Sequence, residues 1–105
     1  MSTALDKLNA KIFSEHLRTK FKLHGDFNPP IVMELEDVKE GNNTPKIELF
    51  SIFFRGPAAP HLPQSIYVLE HDMLGTFEIF LTAVGTDQTG ILYESVFHRF
   101  RKPAE

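Results

Sequence analysis

Apolar and polar residues alternate along most of this chain, and the alternation is written twice. From Phe21, the positions Phe21, Leu23, Ile31, Met33, Leu35 and Val38 recur 46 residues on as Tyr67, Leu69, Phe77, Ile79, Leu81 and Val84. After a two-residue slip, Ile47, Leu49, Ser51, Ile52, Phe53 and Arg55 recur 44 residues on as Ile91, Tyr93, Ser95, Val96, Phe97 and Arg99. Two like units that each leave an apolar face open can close on one another, so the repeat predicts architecture. It carries no chemistry.

Within each unit the period of two predicts three strands, because alternate residues of a strand point to opposite faces. In the first unit they run over 19–25, 31–38 and 46–55; in the second, over 65–71, 76–84 and 90–100. The sequence Asp26, Phe27, Asn28, Pro29, Pro30 predicts a turn, since proline fixes φ and removes a donor. Further hairpin connections fall at 72–75 and 85–89, and a polar Gly-Asn-Asn loop lies within 39–45. The third strand of the first unit has large residues on both faces, which marks a central or covered strand, and Phe50, Ile52 and Phe54, on the face opposite Leu49, Ser51 and Phe53, are expected to meet an N-terminal helix. Before the repeat, Leu5, Leu8, Ile12, Phe13 and Leu17 fall near a helical period, with Asn9 or Thr3 able to supply the cap oxygen, so a short helix is expected within 4–17.

Between the copies, residues 56–64 carry three prolines, Pro57, Pro60 and Pro63, which preclude a regular helix and favour a semi-rigid extended crossover. Neither three-stranded meander has enough apolar surface to stand alone. The chain is therefore expected to be a single domain over 1–105 with a short tail from 101. The fold class that follows is mainly all-β: six antiparallel strands in a small barrel, built from two pseudo-symmetric three-stranded meanders with a short N-terminal helix. Closure removes the exposed edges that invite aggregation. A two-sheet sandwich satisfies the same pattern. Both place Leu23, Met33, Leu35, Leu69, Ile79, Leu81 and Phe97 inside.

Composition narrows the class. At 105 residues with 42% hydrophobic and 24% charged positions, the chain reads as one ordinary globular domain. No apolar run approaches the roughly 18 residues of a spanning helix, and the charged start lacks a secretory core, so a cytoplasmic location, or incorporation into an assembled particle, is expected. With no cysteine, disulfides and thiolate metal sites are excluded, and ten phenylalanines must supply the burial. A net charge of −3 argues against nucleic acid as a partner. The basic residues cluster toward the two ends and the acidic ones, Glu34, Glu36, Asp37, Glu40 and Glu48, in the middle; this distribution suits either a basic face for an anionic partner or a solvated surface.

The stretch Phe53, Phe54, Arg55, Gly56, Pro57, then Leu62, Pro63, Gln64, then Tyr67, Leu69, His71, Leu74, Gly75 and Phe80, Leu81, Val84, Gly85 resembles a family of small uncharacterised bacterial proteins, a domain of unknown function. The likeness spans nearly the whole chain, from the Phe13 region through Val96. It implies no activity and supplies no functional residues. Similar proteins occur beside tail-collar or tail-fibre-like proteins, which implies an accessory role in a phage-derived particle.

The residues themselves offer few chemical constellations. Histidines at 16, 24, 61, 71 and 98 lack the paired spacing of a metal site; His24 and His71 end equivalent strands and could meet beside a carboxylate, but as turn residues they more simply bond backbone or water. Arg55 and Arg99, equivalent in the repeat, could grip an anion together, or cover the barrel rim and pair with neighbours such as Glu48 and Glu94. Ser51 and Ser95 lack a base and an oxyanion site, and the loop between Gly85 and Gly90 lacks the lysine and helix of a phosphate cradle. The expectation is thus a non-enzymatic structural or protein-interaction domain with no catalytic residues, no metal and no cofactor. A protein partner is expected, with no membrane or nucleic-acid partner, and a homo-oligomer stays open. Candidate surface residues are Arg55, Pro57, His61, Gln64, His71 and Arg99. The alternatives are a small-ligand-binding barrel and, last, an enzyme with a shallow site near His71.

Overall fold

A computed structural model of the chain describes residues 8–27, 30–42 and 44–100. Among these residues one short helix, α1 (Ala10–Ser14), precedes six strands: β1 (Lys20–Leu23), β2 (Val32–Glu40), β3 (Ile47–Gly56), β4 (Ser65–His71), β5 (Gly75–Asp87) and β6 (Gly90–Phe100). All neighbouring pairs are antiparallel, and the order β1-β2-β3-β6-β5-β4 returns to β1 as a closed barrel. Each half is a three-stranded meander, as the alternation predicts.

The helix is shorter than its sequence period suggests. Asn9 caps it, its side-chain oxygen accepting from the Ile12 amide at 2.8 Å. Residues 15–18 form turns instead of continuing it, because Arg18 adopts a φ of 70° and the Thr19 hydroxyl donates to the His16 carbonyl. The expected positions 4–7 lie outside the described residues. The helix directs Phe13 into the end of the barrel, where its ring lies within 6.3 Å of Phe50, Phe77 and Phe97. The expected meeting of Phe50 with the N-terminal helix is therefore present, through Phe13, whereas Phe54 packs on Phe21 of β1 at 5.0 Å.

All seven predicted core residues are buried, together with Phe21, Phe54 and Tyr93. Two bulges complicate the alternation. One between Leu35 and Asp37 turns Val38, opposite Ile52, toward the core; another between Ala83 and Gly85 leaves Val84 outside. The Val38–Val84 correspondence of the sequence repeat thus ends at these bulges.

The halves meet at two seams, each joining like strands. At one, Leu23 faces Leu69, a pair at the repeat spacing of 46. At the other, Ser51 faces Val96 on the outside, whereas Ile52 faces the buried Ser95 on the inside. The correspondence of Ser51 with Ser95, and with it the 44-residue spacing along the third strands, is corrected here: it would equate an outward residue with an inward one. A one-residue slip exchanges the faces of a whole strand.

Candidate functional site

The crossover between the halves is the longest irregular segment among the described residues, and it is pinned to the barrel at two points. Leu62 is buried, and its amide donates at 3.0 Å to the hydroxyl of Tyr93, itself buried on β6. The Tyr67 hydroxyl donates to the Pro63 carbonyl. Held this way, Pro57, Ala59, Pro60 and His61 stay exposed, and Gln64 leads exposed into β4. The Ala59–Pro60 bond is cis.

Beside the crossover lies a surface groove of about 520 Å³, walled by Pro57, Ala59 and Pro60 on one side and by Phe27, Ile31 and Val32 at the β1–β2 turn on the other. Among the described residues, Asp26 supplies its one charged group. The turn side of this groove was not among the sequence candidates. Its signal was present in Val32, an apolar residue at an outward position of its strand, 45% exposed.

His71 is placed elsewhere, and inside. It is 6% exposed and lies against the rings of Phe21 at 4.4 Å and His16 at 4.8 Å. Its Nδ1 accepts from the amides of Met73 and Leu74 at 3.0 and 3.1 Å. Because Thr19 donates its hydroxyl proton to His16, the Thr19 oxygen must accept from His71 Nε2, at 2.9 Å. These bonds select the neutral ring with its proton on Nε2. Burial pushes its pKa below the ordinary value, the nearby His16 adds to this, and Asp72 opposes it. As a surface contact His71 is thus corrected: it holds the β4–β5 turn. His24 does not join it, pairing instead with Glu70 at 2.8 Å. Among the described residues no group of three histidines or carboxylates could hold a metal ion.

The arginines are not brought together. Arg55 lies beside the Leu92 position of β6 and Arg99 beside Glu48 on β3, so seven residues of strand, on the order of 20 Å, separate them. The Arg55 guanidinium meets Glu36 through Nε at 2.9 Å and Nη2 at 3.0 Å, and Asp87 through Nη1 at 2.8 Å. Arg99 donates to Glu48 at 2.9 Å and to the Leu8 carbonyl, and its guanidinium lies over Phe50 and Phe97. Both therefore bind acids of their own chain, in the rim role, and a shared anion grip is excluded by their separation. Glu48 is the partner anticipated for Arg99; Glu36 and Asp87 come from strands whose register the sequence did not reveal.

The charge clusters are similarly tied to each other. Lys20 and Arg18 meet Glu34 at 2.7 and 3.8 Å, and these contacts, led by the Lys20 hydrogen bond, lower the Glu34 pKa. The basic start and the acidic middle thus partly neutralise one another across β1 and β2. No helix among the described residues is long and apolar enough to cross a membrane.

No curated protein and no solved structure matches the chain. A family model does, over residues 8–97, from the segment that enters α1 to the buried Phe97 of β6. By that match the chain belongs to the family described as Domain of unknown function (DUF6916).

Proposed function

We propose that this chain is a non-enzymatic protein-interaction domain, an accessory of a phage-tail-like or other bacterial assembly, which offers its crossover and the adjoining groove to a protein partner. The observation that carries the reading is the crossover itself. The exposed residues 57–61 are held by Leu62 and Tyr93 on a barrel with a buried apolar core. Loops fixed on a rigid scaffold are where recognition usually resides, and a preformed loop loses little entropy on binding. The assembly context comes from the sequence resemblance, and the two-fold likeness of the halves suits a role as a building block. His71, the residue best placed for acid–base work, has both ring nitrogens occupied by structural bonds.

The test is a pull-down from the native host with the wild-type chain and with Val32→Glu and Ala59→Glu, two exposed groove positions. A stoichiometric partner recovered by the wild type and lost with either variant is expected. No stoichiometric partner, or one indifferent to both variants, overturns the proposal.

A second reading, a small-ligand site in the same groove, is favoured by its volume, which falls in the usual range of roughly 300 to 1,000 Å³ for such sites. Among the described residues Asp26 alone offers a charged contact there, whereas small-ligand sites converge several polar groups. A thermal-shift screen against metabolites that returns a saturable stabiliser, lost in Val32→Glu, would favour it.

A further inference from the structure

The outer face of β4, β5 and β6 carries apolar residues where a solvated sheet face would be polar. Ile66 on β4 stands directly opposite Phe80 on β5, and they are 62% and 46% exposed. Thr82 of β5 faces Glu94 of β6; one outward step further along each strand come Phe80 and Val96, the latter 59% exposed. The apolar row Ile66, Phe80, Val96 thus lies on one outer face: Ile66 and Phe80 are partners across β4 and β5, and Val96 stands one outward step beyond the last β5–β6 pair, Thr82–Glu94, opposite Ser51 of β3.

Two carboxylates flank this row on opposite sides. Glu78 lies two residues before Phe80 on β5, facing Val68 of β4. Glu94 lies two residues before Val96 on β6, and because the strands run antiparallel it falls on the other side of the row. Among the described residues neither has an ion-pair partner, although Glu34, Glu36, Glu48, Glu70 and Asp87 all do. In the ring order β5 lies opposite β2, so this face points away from the β2 wall of the groove.

We infer that the outer face of β4–β6 is a second docking surface, which takes a segment of a partner protein carrying apolar side chains flanked by lysine or arginine. The apolar row supplies burial, and the two acids on either side select a cationic segment and fix its register. An acidic face of this kind repels an anionic membrane or nucleic acid, which leaves a basic protein segment as the occupant. The inference rests on the reading of the chain as an interaction domain, and adds to it a face and a partner chemistry.

The test maps peptide binding on the full chain by amide chemical shifts. Three synthetic peptides serve as probes: alternating Lys and Val, alternating Glu and Val, and alternating Lys and Ser. The Lys/Val peptide is expected to shift the amides of Ile66, Phe80 and Val96, while the other two bind at least tenfold more weakly. Glu78→Lys with Glu94→Lys is expected to weaken Lys/Val binding by about tenfold or more, as like charges then meet. Val96→Thr, which keeps the strand-compatible shape, should weaken it without changing the fold. Equal binding of all three peptides, or no shifts on this face, overturns the inference. Shifts confined to the groove do the same while leaving the proposed function standing. Concentration-dependent dimerisation that buries this face and is abolished by Val96→Thr would assign it to a second copy instead, and also overturns it.

Discussion

Leu23 on β1 and Leu69 on β4 stand opposite one another across the seam that closes the barrel, both buried. β1 is only four residues long and pairs with β4 over two register positions, so much of the closure there depends on these side chains. Leu69→Ala removes apolar contacts from both halves at once and is expected to cost about 2 to 5 kcal/mol, the range for buried leucine truncations. Urea denaturation measures the loss. A cost under 1 kcal/mol would mean that the seam is not part of the cooperative core.

The buried His71 predicts a stability step on the mildly acidic side. Its folded pKa is pushed down, chiefly by burial and then by the charge of His16, with Asp72 opposing. The unfolded chain therefore binds this proton at higher pH than the folded one does. Stability from this residue is complete above the unfolded value of about 6.5, falls as pH drops below it, and levels off once pH passes below the depressed folded value. His71→Asn keeps an acceptor for the Met73 and Leu74 amides and removes the titration. The melting temperature of the wild type should decline between pH 7 and 5 more steeply than that of the variant. Parallel curves would contradict the assignment.

Two glycines of the β5–β6 hairpin should respond unequally to the same change. Gly90 has a φ of +135°, and a Cβ built there would lie 2.0 Å from the Gly56 carbonyl oxygen. That combines a conformation rare for L-residues with a backbone collision, so Gly90→Ala is expected to cost about 2 kcal/mol or more. A Cβ at Gly85 meets nothing within 4 Å. Gly85→Ala is expected to stay within about 1 kcal/mol of wild type. Thermal or urea unfolding of the two variants side by side checks both.

The strand arrangement was legible where one face is apolar and the other polar, and illegible where both are apolar. Ser65–His71 and Gly90–Phe100 form strands with the bounds expected, and the inward set Leu23, Met33, Leu35, Leu69, Ile79, Leu81 follows directly from alternation. β3 is different, because Leu49, Phe50, Ile52, Phe53 and Phe54 fill both faces, and its counterpart β6 exposes Val96. With no polar face to mark the phase, a repeat spacing of 44 looks as good as an odd one, and only hydrogen-bonded register separates them. The same apolar outward positions, Val32, Ile66, Phe80 and Val96, line the groove or the second face. Arg55 was legible as a rim residue, but its partners Glu36 and Asp87 depend on register across three strands.

That three-strand contact predicts a salt-sensitive contribution. Arg55 reaches Glu36 through two nitrogens and Asp87 through a third, with only 22% of its side chain exposed. The Glu36 hydrogen bond leads the forces that raise the Arg55 pKa. Arg55→Lys keeps the charge but cannot span both carboxylates in one plane. A loss of about 1 kcal/mol is expected, within the range for a multi-partner surface pair. Urea midpoints of wild type and variant should converge at high salt, because screening weakens the exposed Asp87 arm. A difference unchanged by salt would place the effect in packing instead.

The last prediction concerns the anchor on which the proposed recognition loop depends. The Tyr93 hydroxyl accepts from the Leu62 amide at 3.0 Å, and both groups are shielded from water. Tyr93→Phe leaves the ring in the core and the amide without its acceptor, at an expected cost of about 1 to 3 kcal/mol for an unsatisfied buried donor. The effect should be local as well as global: exchange of the Leu62 amide should accelerate well beyond that of β6 amides such as Phe97, because the crossover can lift to find water while the barrel stays closed. Hydrogen exchange measured by NMR distinguishes this from uniform destabilisation. If Leu62 and Phe97 accelerate equally, the crossover unfolds only with the barrel, and Tyr93 is one core contact among many. A selective rise at Leu62, joined to weaker recovery of the partner, would instead tie recognition to this one hydroxyl.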